Sequence, residues 1–259
     1  MRPEGLDGPR EVTPAGNDTT FWSDIVESAI SLEVSDLCVK QAAGRGRLIV
    51  LSAHPDDETI GAGRLISEWA RRRGPVEAIT LTAGEACVDH MGVVLPGLAR
   101  RRVDEWRAAV RALGAQPHSC WGVPDGRAGN SVTELGSRLA GVLSEQDVVL
   151  APWRFDPHPD HVAAGEAAWH AAHLSGAAII EYPVWMTFWC DPTELERSGY
   201  DLFQVSTDAL AERSREVALA CYVSQQQPLR PDLAPVVPRA MLEHHERQLV
   251  LLPRRTHHA

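Results

Sequence analysis

The feature that most constrains this chain is the apolar run Leu48-Ile49-Val50-Leu51, which leads at once into Ser52-Ala53-His54-Pro55-Asp56-Asp57-Glu58. Four consecutive apolar residues, two of them β-branched, read as a strand buried on both faces, as strands of parallel sheets are. The pattern then turns helical, with Leu65, Ile66 and Trp69 on one face. One imidazole and three carboxylates therefore sit where a strand ends and a helix begins. That carboxyl edge is where open α/β sheets bind ligands. Burying such a group without a compensating cation is costly.

The alternation repeats along the chain. Residues 76–81 read as a second strand, and 98–113 as a helix that Gly114 stops. Cys120-Trp121-Gly122 is a short third strand. A helix capped at Ser131, with Glu134 in the capping-box position, runs to Leu143. A fourth strand over 148–151, a helix over 161–174 and a fifth strand over 178–182 follow. Beyond them come an irregular aromatic segment (183–200), a strand near 202–205, a helix over 208–222 and a final helix over about 239–250. This predicts an α/β fold, a Rossmann-like parallel sheet with helices on both faces. With strand order 3-2-1-4-5, the first and fourth strands are neighbours and the topological switch point lies between them.

Residues 1–20, rich in Pro, Gly and charge, read as a mobile arm, and 21–41 as one or two helices packed outside the domain. The expected units are an N-terminal extension (1–45), one domain (46–252) and a short tail (253–259). A chain of 259 residues is long enough for such a domain. The formal charge of −10 argues against nucleic acid or an anionic membrane as the main partner. Lys40 is the only lysine, which argues against Schiff-base and Walker-type chemistry. The five cysteines form no C-x-x-C pair and read as free thiols of a reducing, cytoplasmic compartment. No apolar run approaches the ~20 residues of a membrane span.

A second cluster, Asp156-Pro157-His158-Pro159-Asp160-His161, follows the fourth strand and opens the next helix. A lone histidine there would more often cap the helix or face solvent. Two His/Asp-rich junctions in one domain favour a shared site. Together, His-Pro-Asp-Asp-Glu and the downstream His-Pro-Asp-His resemble the LmbE/PIG-L family of metal-dependent N-acetylglucosaminyl deacetylases, over residues 46–250.

The resemblance implies His54, Asp57 and His161 as ligands of Zn2+ or another divalent metal such as Fe2+. It implies Asp56 as general base, and a charged His158 that stabilises the oxyanion or protonates the leaving amine, with Asp160 holding His158 in that state. It also implies Arg102 and Asp125 as partners of sugar hydroxyls. Beside these roles stand plainer ones: helix-start acids for Asp56 and Asp160, an exposed helix charge for Arg102, a turn residue for Asp125. Asp156 stands where some thiol-sugar deacetylases carry tyrosine. Tyr182, Trp153, Trp185 and Trp189 are pocket candidates, though scattered tryptophans more often belong to the core.

The function implied is removal of an N-acyl group, N-acetyl first, from an amino sugar or glycoside, with natural-product (antibiotic) biosynthesis as one setting. The partner would be a small-molecule substrate, with an oligomer contact as one role for the N-terminal extension. The rival enzyme is an amidase acting on a thiol-sugar conjugate. The rival of a different class is a non-catalytic sugar-binding module, which would have lost a ligand or the base.

Overall fold

The computed structural model describes residues 16–38 and 46–254. Most of the expected arm (1–15) and most of the expected tail (255–259) lie outside the described residues. The strands are β1 (Ile30–Leu32), β2 (Leu48–Ser52), β3 (Val76–Thr82), β4 (Gln116–Val123), β5 (Val148–Pro152), β6 (Ala178–Tyr182), β7 (Tyr200–Val205) and β8 (Leu249–Pro253). They form one sheet in the order β1-β7-β8-β6-β5-β2-β3-β4. The consecutive block β4-β3-β2-β5-β6 is parallel throughout, and it is the expected 3-2-1-4-5 order.

Both faces of this block are covered, and the alternation along each strand shows how. Leu48 and Val50 point into a core with Ile60, Leu65, Ile66 and Trp69 of the helix Asp57–Arg72 and Trp106 and Val110 of the helix Leu98–Ala112. Ile49 and Leu51 point the other way, onto Leu135 and Leu139 of the helix Val132–Ala140 and a row of alanines on the helix Pro159–Ser175. Strand β2 is buried along its whole length for this reason. The alanine row lets the second helix lie close to β5. At Gly165 an added Cβ would stand 2.6 Å from the Arg154 Cα and 2.7 Å from the Pro152 carbonyl oxygen.

The sheet is mixed, which the sequence pattern did not predict. Strand β8 runs antiparallel to both β6 and β7, and β1 pairs with β7 as the edge. The final helix expected to reach residue 250 covers only Arg239–Glu243, and Leu249–Pro253 is strand. Four apolar residues at its start are too few to separate strand from helix by periodicity; the gap between β6 and β7 decides the matter. The aromatic segment is also more regular than expected, with helices Met186–Trp189 and Pro192–Ser198. Ser131 precedes its helix without a side-chain capping bond.

The N-terminal extension contributes β1 and is stitched to the aromatic segment. The Asn17 side chain donates to the carbonyls of Thr187 (3.2 Å) and Cys190 (2.8 Å), and Trp22 Nε1 donates to Cys190 (3.2 Å). Among the described residues no helix is long and apolar enough to cross a membrane.

Candidate metal centre

Two strand-to-helix junctions on either side of the switch point, after β2 and after β5, bring the two sequence clusters together. After β2 the chain turns sharply: Asp56 is the one described non-glycine residue with positive φ (136°). This turn lets Asp57 fold back, so that Oδ2 accepts from the backbone N–H groups of Ala53 (3.0 Å) and His54 (2.8 Å). After β5, His158 caps the helix Pro159–Ser175 and His161 lies in its first turn.

The sequence-predicted ligands meet in one cluster. His54 Nδ1 lies 3.3 Å from His161 Nε2 and 3.5 Å from Asp57 Oδ2, and His161 Nε2 lies 3.2 Å from Asp57 Oδ1. Donors bound tetrahedrally to zinc at roughly 2.0–2.2 Å stand about 3.3–3.6 Å apart, so the spacing suits a shared cation. The outer sides of both rings support this. His161 Nδ1 meets Asp156 Oδ1 at 3.0 Å, while His54 Nε2 faces Asp125 Oδ1 at 3.1 Å and Asp160 Oδ2 at 3.3 Å. With the ring protons directed to those carboxylates, the inner atoms are lone pairs facing one another, an arrangement that needs a positive charge at its centre.

The electrostatics agree. Against the effect of burial, Asp57 and Asp156 raise the His161 imidazole to about 9. His54 is likewise raised well above the ordinary value, because Asp125, Asp160 and Asp57 outweigh burial. A cation bound among these rings would compete with protons for their inner nitrogens. The atoms of His54, His158 and His161 also lie close enough for a shared ion, as do those of His54, Asp125 and Asp160. What sets the trio with Asp57 apart is its carboxylate, which two backbone N–H groups position.

Around this cluster several side chains do other things than the sequence suggested. Asp56 is buried, and burial pushes its carboxyl up to about 7 despite Arg102, whose Nη2 is 3.3 Å from its Oδ2. Arg102 is no exposed helix charge: it is 3% exposed and donates to the carbonyls of Gly84 (2.5 Å) and Pro55 (3.0 Å) as well. Its guanidinium thus ties the loop after β3 to the Pro55-Asp56 turn.

Asp160 does not hold His158. Its carboxylate accepts from Gly126 N (2.7 Å) and Ala128 N (3.2 Å) and faces His54, while only its backbone N–H donates to His158 Nδ1 (3.2 Å). His158 is pushed down to about 3 by burial and by its histidine neighbours, so it is neutral where a charged imidazole was expected. Asp125 is more than a turn residue: it faces His54 and its Oδ2 accepts from Ala86 N (2.8 Å).

Tyr182 and Trp153 belong to the core, Tyr182 donating to the Leu51 carbonyl (2.9 Å), and Trp185 stacks on Trp189 at 4.2 Å. Sequence reasoning put Asp156 in the second cluster but gave it no role there. The available signal was an acid two residues before a histidine in a strand-end loop.

A family model described as PIG-L, GlcNAc-PI de-N-acetylase, matches residues 49–172. The chain is 32% identical over 163 residues to a 1D-myo-inositol 2-acetamido-2-deoxy-alpha-D-glucopyranoside deacetylase of Streptomyces griseus, covering 50% of this chain and 49% of that one. A deacetylase with the same description from Mycolicibacterium gilvum is 27% identical over 238 residues, covering 72% of this chain and 82% of that one. The chain thus spans about half the length of the Streptomyces relative and 57% of a third, from Kineococcus radiotolerans. In fold it is similar to a deacetylase of the teicoplanin biosynthetic pathway, with a TM-score of 0.61 at 16% identity, over 82% of this chain and all of the other.

Proposed function

We propose, from the premise that this chain carries a PIG-L domain over residues 49–172, that it is a hydrolase removing an N-acyl group from an amino sugar or amino-sugar glycoside. The observation that carries the reading is the inward-facing trio His54, Asp57 and His161, with inner atoms 3.2–3.5 Å apart and Asp56 beside it. The names of the relatives, all deacetylases of a 2-acetamido sugar, support the substrate class. In this proposal residues 46–252 make up the hydrolase unit, to which the extension 1–45 adds an edge strand. The free thiols suit a cytoplasmic setting.

A divalent cation held by His54, Asp57 and His161, Zn2+ or Fe2+, would supply Lewis acidity at the amide carbonyl and at the attacking water. The chain's own residues do the rest. Asp56, raised to about 7, is poised to accept the water proton near neutrality. Arg102 fixes its carboxylate at 3.3 Å. His158 accepts the Asp160 N–H at Nδ1, so its proton sits on Nε2, and the neutral ring acts as a hydrogen-bond donor to the developing oxyanion. Transfer of the Asp56 proton to the leaving nitrogen completes the balance of one water consumed, one acid and one amine released.

The test is amine release from a panel of N-acyl glucosamine glycosides by protein stripped of metal and then reloaded with zinc. Release only after reloading is the expected result. Stoichiometric zinc without release from any member would move the assignment toward the thiol-sugar amidase or the sugar-binding module. No bound zinc would overturn it.

A further inference from the structure

We propose that Asp156 is the positioning residue of the metal centre, fixing the tautomer and orientation of His161 and tying the ligand to the stacked-tryptophan segment. The inference rests on the reading of His54, Asp57 and His161 as ligands. Asp156 is 0% exposed and its carboxylate accepts four hydrogen bonds. Oδ1 accepts from His158 N and His161 Nδ1, both at 3.0 Å. Oδ2 accepts from Val184 N (3.3 Å) and Trp185 N (2.9 Å).

Two consequences follow from this arrangement. Every donor at this carboxylate is an N–H, so the His161 proton must lie on Nδ1 and the lone pair of Nε2 must face the cluster. The second oxygen anchors the carboxylate to the backbone at the start of the segment that carries Trp185 and Trp189. A carboxylate that holds the far nitrogen of a metal-binding imidazole raises its basicity and fixes its plane. No isosteric substitute can serve. In Asp156→Asn the amide nitrogen would stand against N–H donors whichever way it is turned.

Zinc affinity is measured by competition with a chromophoric chelator, for the parent chain, Asp156→Asn, Asp156→Ala and Asp57→Ala. The two Asp156 variants are expected to bind zinc about 10–100-fold more weakly than the parent, and Asp57→Ala to lose the site. A role confined to folding would lower the melting temperature of the zinc-free variants and leave their affinity unchanged, and that result overturns the proposal while the metal site stands. A parent chain that binds no zinc overturns the reading beneath it. Because a substitution at so buried a carboxylate can cost the fold, a second measurement uses the parent alone. Nitrogen-15 NMR of the zinc-loaded, histidine-labelled protein should show His161 bound through Nε2 with a proton on Nδ1. Binding through Nδ1 would overturn the proposal without any variant.

Discussion

At the scale of single residues, the backbone of Asp56 separates what the site needs for chemistry from what the fold would prefer. With φ at 136° and ψ at −30° it adopts a conformation that side-chain-bearing residues rarely visit, at a cost of roughly 1–3 kcal/mol. Glycine carries little of that cost. Asp56→Gly and Asp56→Ala both remove the carboxylate, and both should lower amide hydrolysis by about 10²–10⁴-fold. They should differ in stability, the glycine variant standing about 1 kcal/mol or more above the alanine variant in urea. Equal midpoints would mean that the turn is not strained. The motif residues were legible because His54, Asp57 and His161 are all tied to strand ends, and strand ends can be read from apolar runs. Their neighbours were not. The partners of Asp160 and Arg102 are backbone groups and side chains from other loops, and no spacing in the chain encodes which of them a buried carboxylate will meet.

At the scale of elements, the helix Pro159–Ser175 can present His161 only because it packs hard on the end of β5. Gly165 is one turn after His161, and the atoms its missing Cβ would strike, Arg154 Cα and Pro152 O, are backbone. They cannot rotate away. Gly165→Ala should therefore push the helix outward, costing about 1–3 kcal/mol. It should weaken zinc binding as well, although residue 165 touches no ligand. Urea denaturation and chelator competition on the same variant check both effects, and loss of stability with intact affinity would mean that the helix bends locally. Gly165 stands in an alanine-rich helix whose closeness to β5 was not readable from composition. The five-strand parallel block was readable because a helix pattern separates each of its strands from the next in the chain. Strand β8 was not, since its place depends on a gap between strands β6 and β7 rather than on any property of residues 249–253.

At the scale of the whole molecule, Glu181 lies where the parallel block meets the antiparallel cap. It is the residue of β6 that pairs with Leu251 of β8, and it accepts the Arg154 backbone N–H at 2.8 Å. Burial pushes its carboxyl up to about 7, against the pull of Tyr200 on β7, the Arg154 backbone N–H and the nearby Trp169. An acid whose folded value exceeds its unfolded value of 4.5 stabilises the fold fully below pH 4.5, and that contribution is lost as pH rises toward 7. His245 works in the opposite direction. Its imidazole is pushed down to about 3, chiefly by burial, with its Nε2 2.8 Å from the Val184 carbonyl. Its contribution is present above pH 6.5 and is lost as pH falls toward 3. Between pH 4.5 and 6.5 the two slopes oppose each other, so the parent curve alone cannot assign them. The difference between parent and Glu181→Gln can. The amide keeps an acceptor for the Arg154 N–H and cannot ionise. Relative to the parent, it should gain on the order of a few kcal/mol between pH 4.5 and 8. Urea midpoints for both proteins across that range, with zinc held at saturation, give the comparison. A difference that stays flat with pH would show that Glu181 is already ionised in the fold, with Arg154 as its partner.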